Sequence, residues 1–195
     1  MHANAEYYLS TSELQRLIDG AQSARDKALV TLFVDTGIRR FEASRLLASD
    51  LDFKEKLILV RNGKGNKLRM LPMSPRLIQH LKVLTKPGLE LPLFKSISNA
   101  QLGIRQVNRI VAHAAKNAQI KNPNPRYANV TCHLIRHSFA RHWKEVGGNI
   151  ESLAKILGHS SVKTTWDMYG TQSIADVRKN YQETINKMLK RNSDF

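Results

Sequence analysis

The segment KLILVRNGKGNKLRMLPM, residues 56–73, decides the fold class. Its first part, Lys56–Arg61, is rich in Leu, Ile and Val, and its last part, Lys67–Met73, alternates apolar and polar side chains. The glycines and asparagines at 62–66 are typical of a turn. The segment therefore predicts a β-hairpin, which a short strand near Leu51 can extend into a small antiparallel sheet.

Helical patterns flank the hairpin on both sides. Ser10 and Glu13 are spaced as a capping box, and Gly37 is placed to end a helix that begins near residue 25. Ser74 and Pro75 suit the cap and the first position of another helix. Further helical patterns cover about 40–47, 99–118, 133–146, 150–157 and 174–190. The sequence predicts a mainly α-helical fold with one small antiparallel sheet, in the α+β class.

Net charge is the most informative property of the composition. The 195 residues include 31 Lys and Arg against 16 Asp and Glu, a formal net charge of +15. Such a surface attracts polyanions, and basic residues spread along the whole chain fit DNA better than a membrane. No stretch reaches the roughly 18 apolar residues of a membrane span, and no secretory signal is visible. The single cysteine, Cys132, excludes an internal disulfide and fits a reducing compartment, so we expect the cytoplasm.

Two clusters of candidate functional residues lie in the first half of the chain. Arg39 follows Gly37 at a helix end, and Glu42 lies three residues on, where a carboxylate can hold an arginine in place. An ordinary helix break with a surface ion pair explains the same residues. Lys64 lies between two glycines at the hairpin tip, from which it could reach a phosphate or a leaving oxygen. A polar loop is the plainer interpretation of that lysine.

A third cluster, CHLIRH, occupies residues 132–137. On a helix, His133 and Arg136 share a face, and His133 and His137 are one turn apart, which is a spacing of metal ligands. The zinc-protease pattern needs Glu after the first His, where this chain has Leu134. We therefore predict no metal site here and expect His137 to pack within the fold.

The fourth cluster is Leu157-Gly158-His159-Ser160, followed by Tyr169. Taken in order, the four clusters resemble the tyrosine recombinase family, the group of lambda-type and Xer-type integrases. The family pattern combines Thr-Gly-x-Arg-x-x-Glu, a Lys on a β-hairpin, His-x-x-Arg, a His or Trp after Leu-Gly, and a later Tyr. The matching residues here are Arg39, Lys64, His133, Arg136, His159 and Tyr169. The resemblance extends from about Ser10 to Lys190 and implies the fold of that family's catalytic domain.

The resemblance also implies an activity, the site-specific cutting and rejoining of DNA strands through a 3′-phosphotyrosine intermediate. Tyr169 would be the nucleophile, His133 the base that takes its proton, and Lys64 the donor to the departing 5′ oxygen. Preorganised donors would stabilise the charge on the phosphate oxygens. We assign that role to Arg39, Arg136 and His159.

Other residues would support this chemistry. Glu42 is expected to orient an active-site arginine or lysine, and the residues expected to contact DNA are Arg40, Lys67 and Arg69. No cofactor or metal is expected, since cationic side chains would do the work of a metal. The expected partners are double-stranded DNA and, on DNA, further copies of the chain in a homotetramer.

The expected organisation is a single catalytic domain over residues 1–195, with its core at about 10–170. The tail from about 171 either folds onto its own core or docks on a neighbouring protomer, and the family's N-terminal DNA-binding domain is expected to be absent. Two alternative functions stay open: a type IB topoisomerase that relaxes DNA, and a non-catalytic DNA-binding accessory protein. The complete set of six residues argues against the accessory protein.

Overall fold

A computed structural model of the chain describes residues 7–61, 68–86, 88–159, 161 and 163–165. The helices are α1 (Thr11–Asp19), α2 (Ala24–Thr36), α3 (Arg40–Ser44), α4 (Pro75–Leu84), α5 (Ile104–Asn117), α6 (Cys132–Glu145) and α7 (Ile150–Leu157). The strands β1 (Leu51–Asp52), β2 (Leu57–Val60) and β3 (Arg69–Pro72) form an antiparallel sheet in the order β1-β2-β3. The predicted class, mainly α-helical with a small antiparallel sheet, is confirmed.

Most of the predicted helix ends are confirmed by their caps. Ser10 and Glu13 exchange both hydrogen bonds of a capping box at the start of α1. Gly37 ends α2 in the left-handed region, at φ 59°. Ser74 accepts a hydrogen bond from a backbone N–H of α4, with Pro75 as the first helical residue.

Two helices are shorter than predicted. α3 ends at Ser44, because the Asp50 carboxylate accepts the backbone N–H of Leu47 and starts a 3₁₀ turn in place of a further helical turn. α5 begins only at Ile104, because Asn99 adopts the left-handed region at φ 59° and turns the chain before the helix starts.

One face of the sheet and almost the whole of α2 lie in the core. Ile58 and Leu71 are neighbours in register across β2 and β3, and both are buried. Helix α2 is buried along most of its length because it packs against α1, α4 and α6. A smaller apolar cluster, with Leu153 and Leu157, holds α7 against the far end of α6. This packing places the ends of α2, α6 and α7 near one another.

Several predictions fall outside the described residues and stay predictions. They concern the hairpin turn with Lys64 and Lys67, the proposed nucleophile Tyr169, and the helix at about 174–190. Among the helices that the structure describes, none is both long and apolar enough to cross a membrane.

Candidate active site

The carboxyl end of α7 gathers three guanidinium groups. The last carbonyl groups of a helix lack partners within it and carry the negative end of the helix dipole, so they attract cationic donors. The three donors come from β3, from α6 and from the turn between α2 and α3. The pairs are Arg69 with the carbonyl of Ile156 at 3.0 Å, Arg136 with Leu157 at 2.8 Å and Arg39 with Gly158 at 2.9 Å.

Beside this helix end lies Glu42, whose side chain has no exposed surface. Its two carboxylate oxygens each accept a hydrogen bond from Arg69 at 2.7 Å. Arg39 donates to it more weakly, from Nη1 at 3.2 Å and from its backbone N–H at 3.0 Å. Burial by itself would raise the pKa of Glu42, but the hydrogen bonds and charges of Arg69 and Arg39 outweigh burial and lower that pKa. The alternative that Glu42 is a surface helix charge is wrong, since the side chain is buried.

The sequence predicts that Arg69 contacts DNA, but the structure buries its side chain. Its side chain is 11% exposed, and its guanidinium faces Glu42 and the end of α7. The sequence alone did not show which face of this strand is buried, because the structure leaves Leu68 and Met70 exposed. Side chains alternate along a strand, so Arg69 shares a face with Leu71 and Met73, which are both buried. The buried carboxylate then draws the guanidinium inward.

Arg136 is buried in α6 and joins two backbone turns. Its Nη1 donates to the carbonyl of Gly37 at 2.8 Å, while its Nη2 reaches the end of α7. A glycine is needed at position 37 for two reasons: its φ is +59°, and a Cβ there would lie 2.7 Å from the ring of Phe139. The close approach of this backbone to α6 brings the Gly37 carbonyl within reach of Arg136.

His159 directly follows the cap of α7 and has a partner at each ring nitrogen. Nε2 lies 3.1 Å from Nη2 of Arg136, and Nδ1 lies 2.7 Å from Oγ1 of Thr165. Because a guanidinium can only donate, we infer that Nε2 accepts and that Nδ1 carries the proton. Burial, together with the charges of Arg136, Arg39 and Arg69, lowers the pKa of His159 to about 4. The ring is therefore neutral at pH 7.

Thr165 is a site residue that the sequence did not reveal. It is fully buried, and its hydroxyl contacts the imidazole of His159. The two residues meet because the chain folds back after α7, and no local periodicity encodes that contact.

His133 and Arg40 lie on the surface at the start of α6 and of α3. Partial loss of hydration, together with the charges of Arg136 and Arg40, lowers the pKa of His133, so this ring too is neutral at pH 7 and can accept a proton. His137 is half-buried, in keeping with the packed position predicted for it. In the ranges that the structure describes, no three His, Cys, Asp or Glu side chains come together as potential metal ligands.

The structure thus brings together four of the residues predicted from the sequence, Arg39, Glu42, Arg136 and His159. His133 and Arg40 are near enough for their charges to interact. The arrangement can hold an anion beside several preorganised donors, and a neutral imidazole at its edge can accept a proton.

Comparison with known proteins agrees with this geometry. The profile of the phage integrase family matches residues 7–174. Tyrosine recombinase XerC of Thermodesulfovibrio yellowstonii is 36% identical over 152 residues, which cover 72% of this chain and 48% of that protein. The crystal structure of XerA recombinase superposes with a TM-score of 0.74 at 32% identity, over 91% of this chain and 64% of the other.

The integrase of transposon Tn1549, solved in complex with circular intermediate DNA, is similar in fold. Its TM-score is 0.72 at 20% identity, over 91% of this chain and 66% of that one. The chain spans about half the length of the curated XerC relatives named first among its matches. Since the family profile covers most of its residues, the chain belongs to the phage integrase family.

Proposed function

We propose that this chain is the catalytic domain of a site-specific DNA recombinase that cuts and rejoins strands through a 3′-phosphotyrosine intermediate. One observation carries the proposal: the end of α7 holds three guanidinium groups beside a single buried carboxylate. That surplus of positive charge suits the phosphate of a DNA strand, on whose oxygens negative charge gathers in the transition state. Membership of the integrase family and similarity to tyrosine recombinases support the same activity.

Arg39 and Arg136 are the donors that would hold the phosphate. They bind the neighbouring carbonyls of Gly158 and Leu157, so both guanidinium groups lie at the same helix end. The Arg39 side chain is 29% exposed and has only one long side-chain contact with Glu42, which leaves donors for a ligand. Arg136 is anchored by two backbone carbonyls, so little of its freedom is left to lose when a phosphate binds.

His159 would assist these two arginines. In this structure its Nε2 accepts from Arg136 and thereby helps to orient the guanidinium. Donation from the same nitrogen to a phosphate oxygen requires the proton to move to Nε2, with Thr165 then donating to Nδ1. The Thr165 hydroxyl can serve either tautomer, since a hydroxyl is both a donor and an acceptor.

Tyr169, His133 and Lys64 would each have one role in the covalent step. A free tyrosine has a pKa of about 10, so Tyr169 needs a base, and the neutral His133 at the edge of the site would accept the proton. The Tyr169 oxygen would form a bond to phosphorus as the bond to the 5′ oxygen breaks, and Lys64 would protonate that oxygen. The new ester conserves the energy of the broken bond, so rejoining needs no ATP.

DNA would be the substrate, bound over a wider surface than the site alone. The net charge of +15 favours a polyanion, and the exposed Arg40, together with Lys67, would contact phosphates. We further propose a homotetramer on DNA, in which the residues from about 171 onward contact a neighbouring protomer.

Covalent trapping tests the proposal. The protein is incubated, with chelator present, with labelled nicked duplexes that carry a randomised segment, beside the matched variant Tyr169→Phe. We expect a protease-sensitive band on a denaturing gel for the wild type and none for Tyr169→Phe. Salt-sensitive DNA binding without any such band would contradict catalysis and favour an accessory protein. Relaxation of supercoiled plasmids of unrelated sequence would favour a topoisomerase.

A further inference from the structure

We infer that Arg69 is a positioning residue, which neutralises the buried Glu42 and so leaves the positive charge of Arg39 available to a DNA phosphate. The inference rests on the proposed function. It assigns a different role to a residue whose sequence position predicts a DNA contact.

Glu42 binds one of its two arginines more strongly than the other. Arg69 takes both carboxylate oxygens in a parallel fork, with both contacts at 2.7 Å, whereas Arg39 reaches one oxygen with its side chain, at 3.2 Å. Two parallel charge-assisted bonds form the stronger pair. The more strongly bound arginine is also the more buried one: the Arg69 side chain is 11% exposed and that of Arg39 is 29% exposed.

Arg69 is held in place independently of Glu42. Its Nε donates to the carbonyl of Ile156, and its guanidinium packs against Gly158, where an added Cβ would lie only 2.9 Å from the guanidinium carbon. Arg69 is also the first residue of β3, where it pairs with Val60 of β2. It therefore connects the sheet to the end of α7 and to Glu42.

The charge balance explains why Arg69 matters to Arg39. The charged groups that act on Glu42 are Arg69 from β3 and Arg39 from the residue before α3. With both arginines present, the trio keeps one positive charge in surplus. Without Arg69, Arg39 and Glu42 would balance each other, and a buried carboxylate would draw the whole guanidinium fork of Arg39 to itself. The phosphate would then lose one of its donors.

The test compares three variants, Arg69→Met, Arg69→Lys and the double variant Glu42→Gln/Arg69→Met, in covalent trapping at saturating DNA. We expect Arg69→Met to slow covalent linkage by about 10- to 100-fold, which at most equals the roughly 10²-fold effect of losing one preorganised donor. Arg69→Lys should be intermediate, because it keeps the charge but not the fork. The double variant should regain at least about tenfold over Arg69→Met, because removing the Glu42 charge frees Arg39 again.

Binding of the same duplexes at several salt concentrations separates positioning from DNA contact. Arg40→Met is the matched control, since Arg40 is exposed and is expected to touch a phosphate. Arg40→Met should reduce the slope of log affinity against log salt by about 0.9. Arg69→Met should reduce the slope as well, because Glu42 then captures Arg39, but the double variant Glu42→Gln/Arg69→Met should restore it. Thermal melting of each variant identifies any loss of folding. Arg69→Lys serves as the conservative variant, because it retains a cation in the site.

Two results would overturn the inference. One is a salt slope that stays reduced in the double variant, which would make Arg69 itself a DNA contact. The other is a double variant as slow as Arg69→Met, which would mean that Glu42 does not capture Arg39. Failure of the proposed function looks different, because the wild type itself would then form no covalent complex.

Discussion

Two carboxylate clusters in this molecule use similar residues and differ in their charge balance. The Asp35 cluster consists of Asp35, Ser74 and Arg76, and it ties the end of α2 to the start of α4. The Glu42 cluster consists of Glu42, Arg39, Arg69 and Arg136 at the end of α7. In both clusters the carboxylate is almost fully buried, with 6% of the Asp35 side chain and none of the Glu42 side chain exposed.

The difference lies in how many cations each carboxylate meets. Asp35 is matched by one guanidinium, that of Arg76, which is 43% exposed, and a hydroxyl completes its hydrogen bonding. Glu42 faces two guanidinium groups, those of Arg69 and Arg39, and a third, that of Arg136, binds the same helix end. Two of these three arginines, Arg69 and Arg136, are largely buried. A balanced pair holds two helices together, whereas a buried surplus of positive charge requires an anion from outside. The surplus, rather than the presence of arginine, therefore distinguishes the candidate active site.

The largest effect is expected from Arg136→Lys. A lysine cannot bridge the carbonyls of Gly37 and Leu157 as the guanidinium does, so the donor to the phosphate loses its orientation. We expect covalent linkage to slow by about 10²- to 10³-fold in the trapping assay. The matched change Arg76→Lys in the Asp35 cluster should leave that rate unchanged. Similar rates for both variants would show that the surplus has no special role.

The two clusters should also differ in how much stability is lost when the carboxylate is neutralised. Glu42→Gln leaves Arg69 buried without its counter-charge and should lower the free energy of unfolding by about 3 kcal/mol. Asp35→Asn leaves an exposed arginine that water can solvate, so we expect a loss of about 1 kcal/mol or less. Denaturant unfolding of both variants measures the difference. Equal losses would contradict the contrast in burial between Arg69 and Arg76.

The Glu42 cluster should also make stability depend on pH through His159. Its pKa is lowered from 6.5 to about 4 in the folded protein, so the unfolded chain binds more protons between these values. Stability should therefore be complete above pH 6.5 and should decrease as the pH falls toward 4. The variant His159→Gln should show a shallower decrease. Some slope should remain, since the pKa values of His133 and His137 are lowered as well. An unchanged slope in His159→Gln would contradict the assignment.

The smallest effect is expected from Thr165→Val, a change of almost the same volume. It removes the acceptor for the Nδ1 proton of His159 and should cost about 1 kcal/mol of stability. Covalent linkage should slow by less than about tenfold, because Arg136 keeps its two carbonyl partners. Replacement by serine, which retains the hydroxyl, should restore the rate. A serine variant as slow as the valine variant would show that the hydroxyl is unimportant.

These contrasts also show how far sequence reasoning can reach. The contact between Arg39 and Glu42 was predictable because it spans three residues at a helix start, and local geometry decides it. The order of the motifs likewise predicted that Arg136 and His159 belong to one site. The convergence of three arginines on the end of α7 was not predictable, since it depends on how α6, α7 and β3 pack. Arg69 was likewise not predictable: the sequence predicted a DNA contact for it, and the carboxylate that receives it comes from a separate segment.

Comparing Arg39→Met with Arg76→Met in covalent trapping tests the role of the charge surplus. Both arginines contact a buried carboxylate, and both are partly exposed, 29% and 43% respectively. We expect Arg39→Met to slow formation of the Tyr169-dependent covalent band by about 10²-fold, while Arg76→Met forms the band at the rate of the wild type. Equal loss in both variants, or an undiminished band in Arg39→Met, would contradict the claim that the charge surplus at the end of α7 is the site of phosphate chemistry.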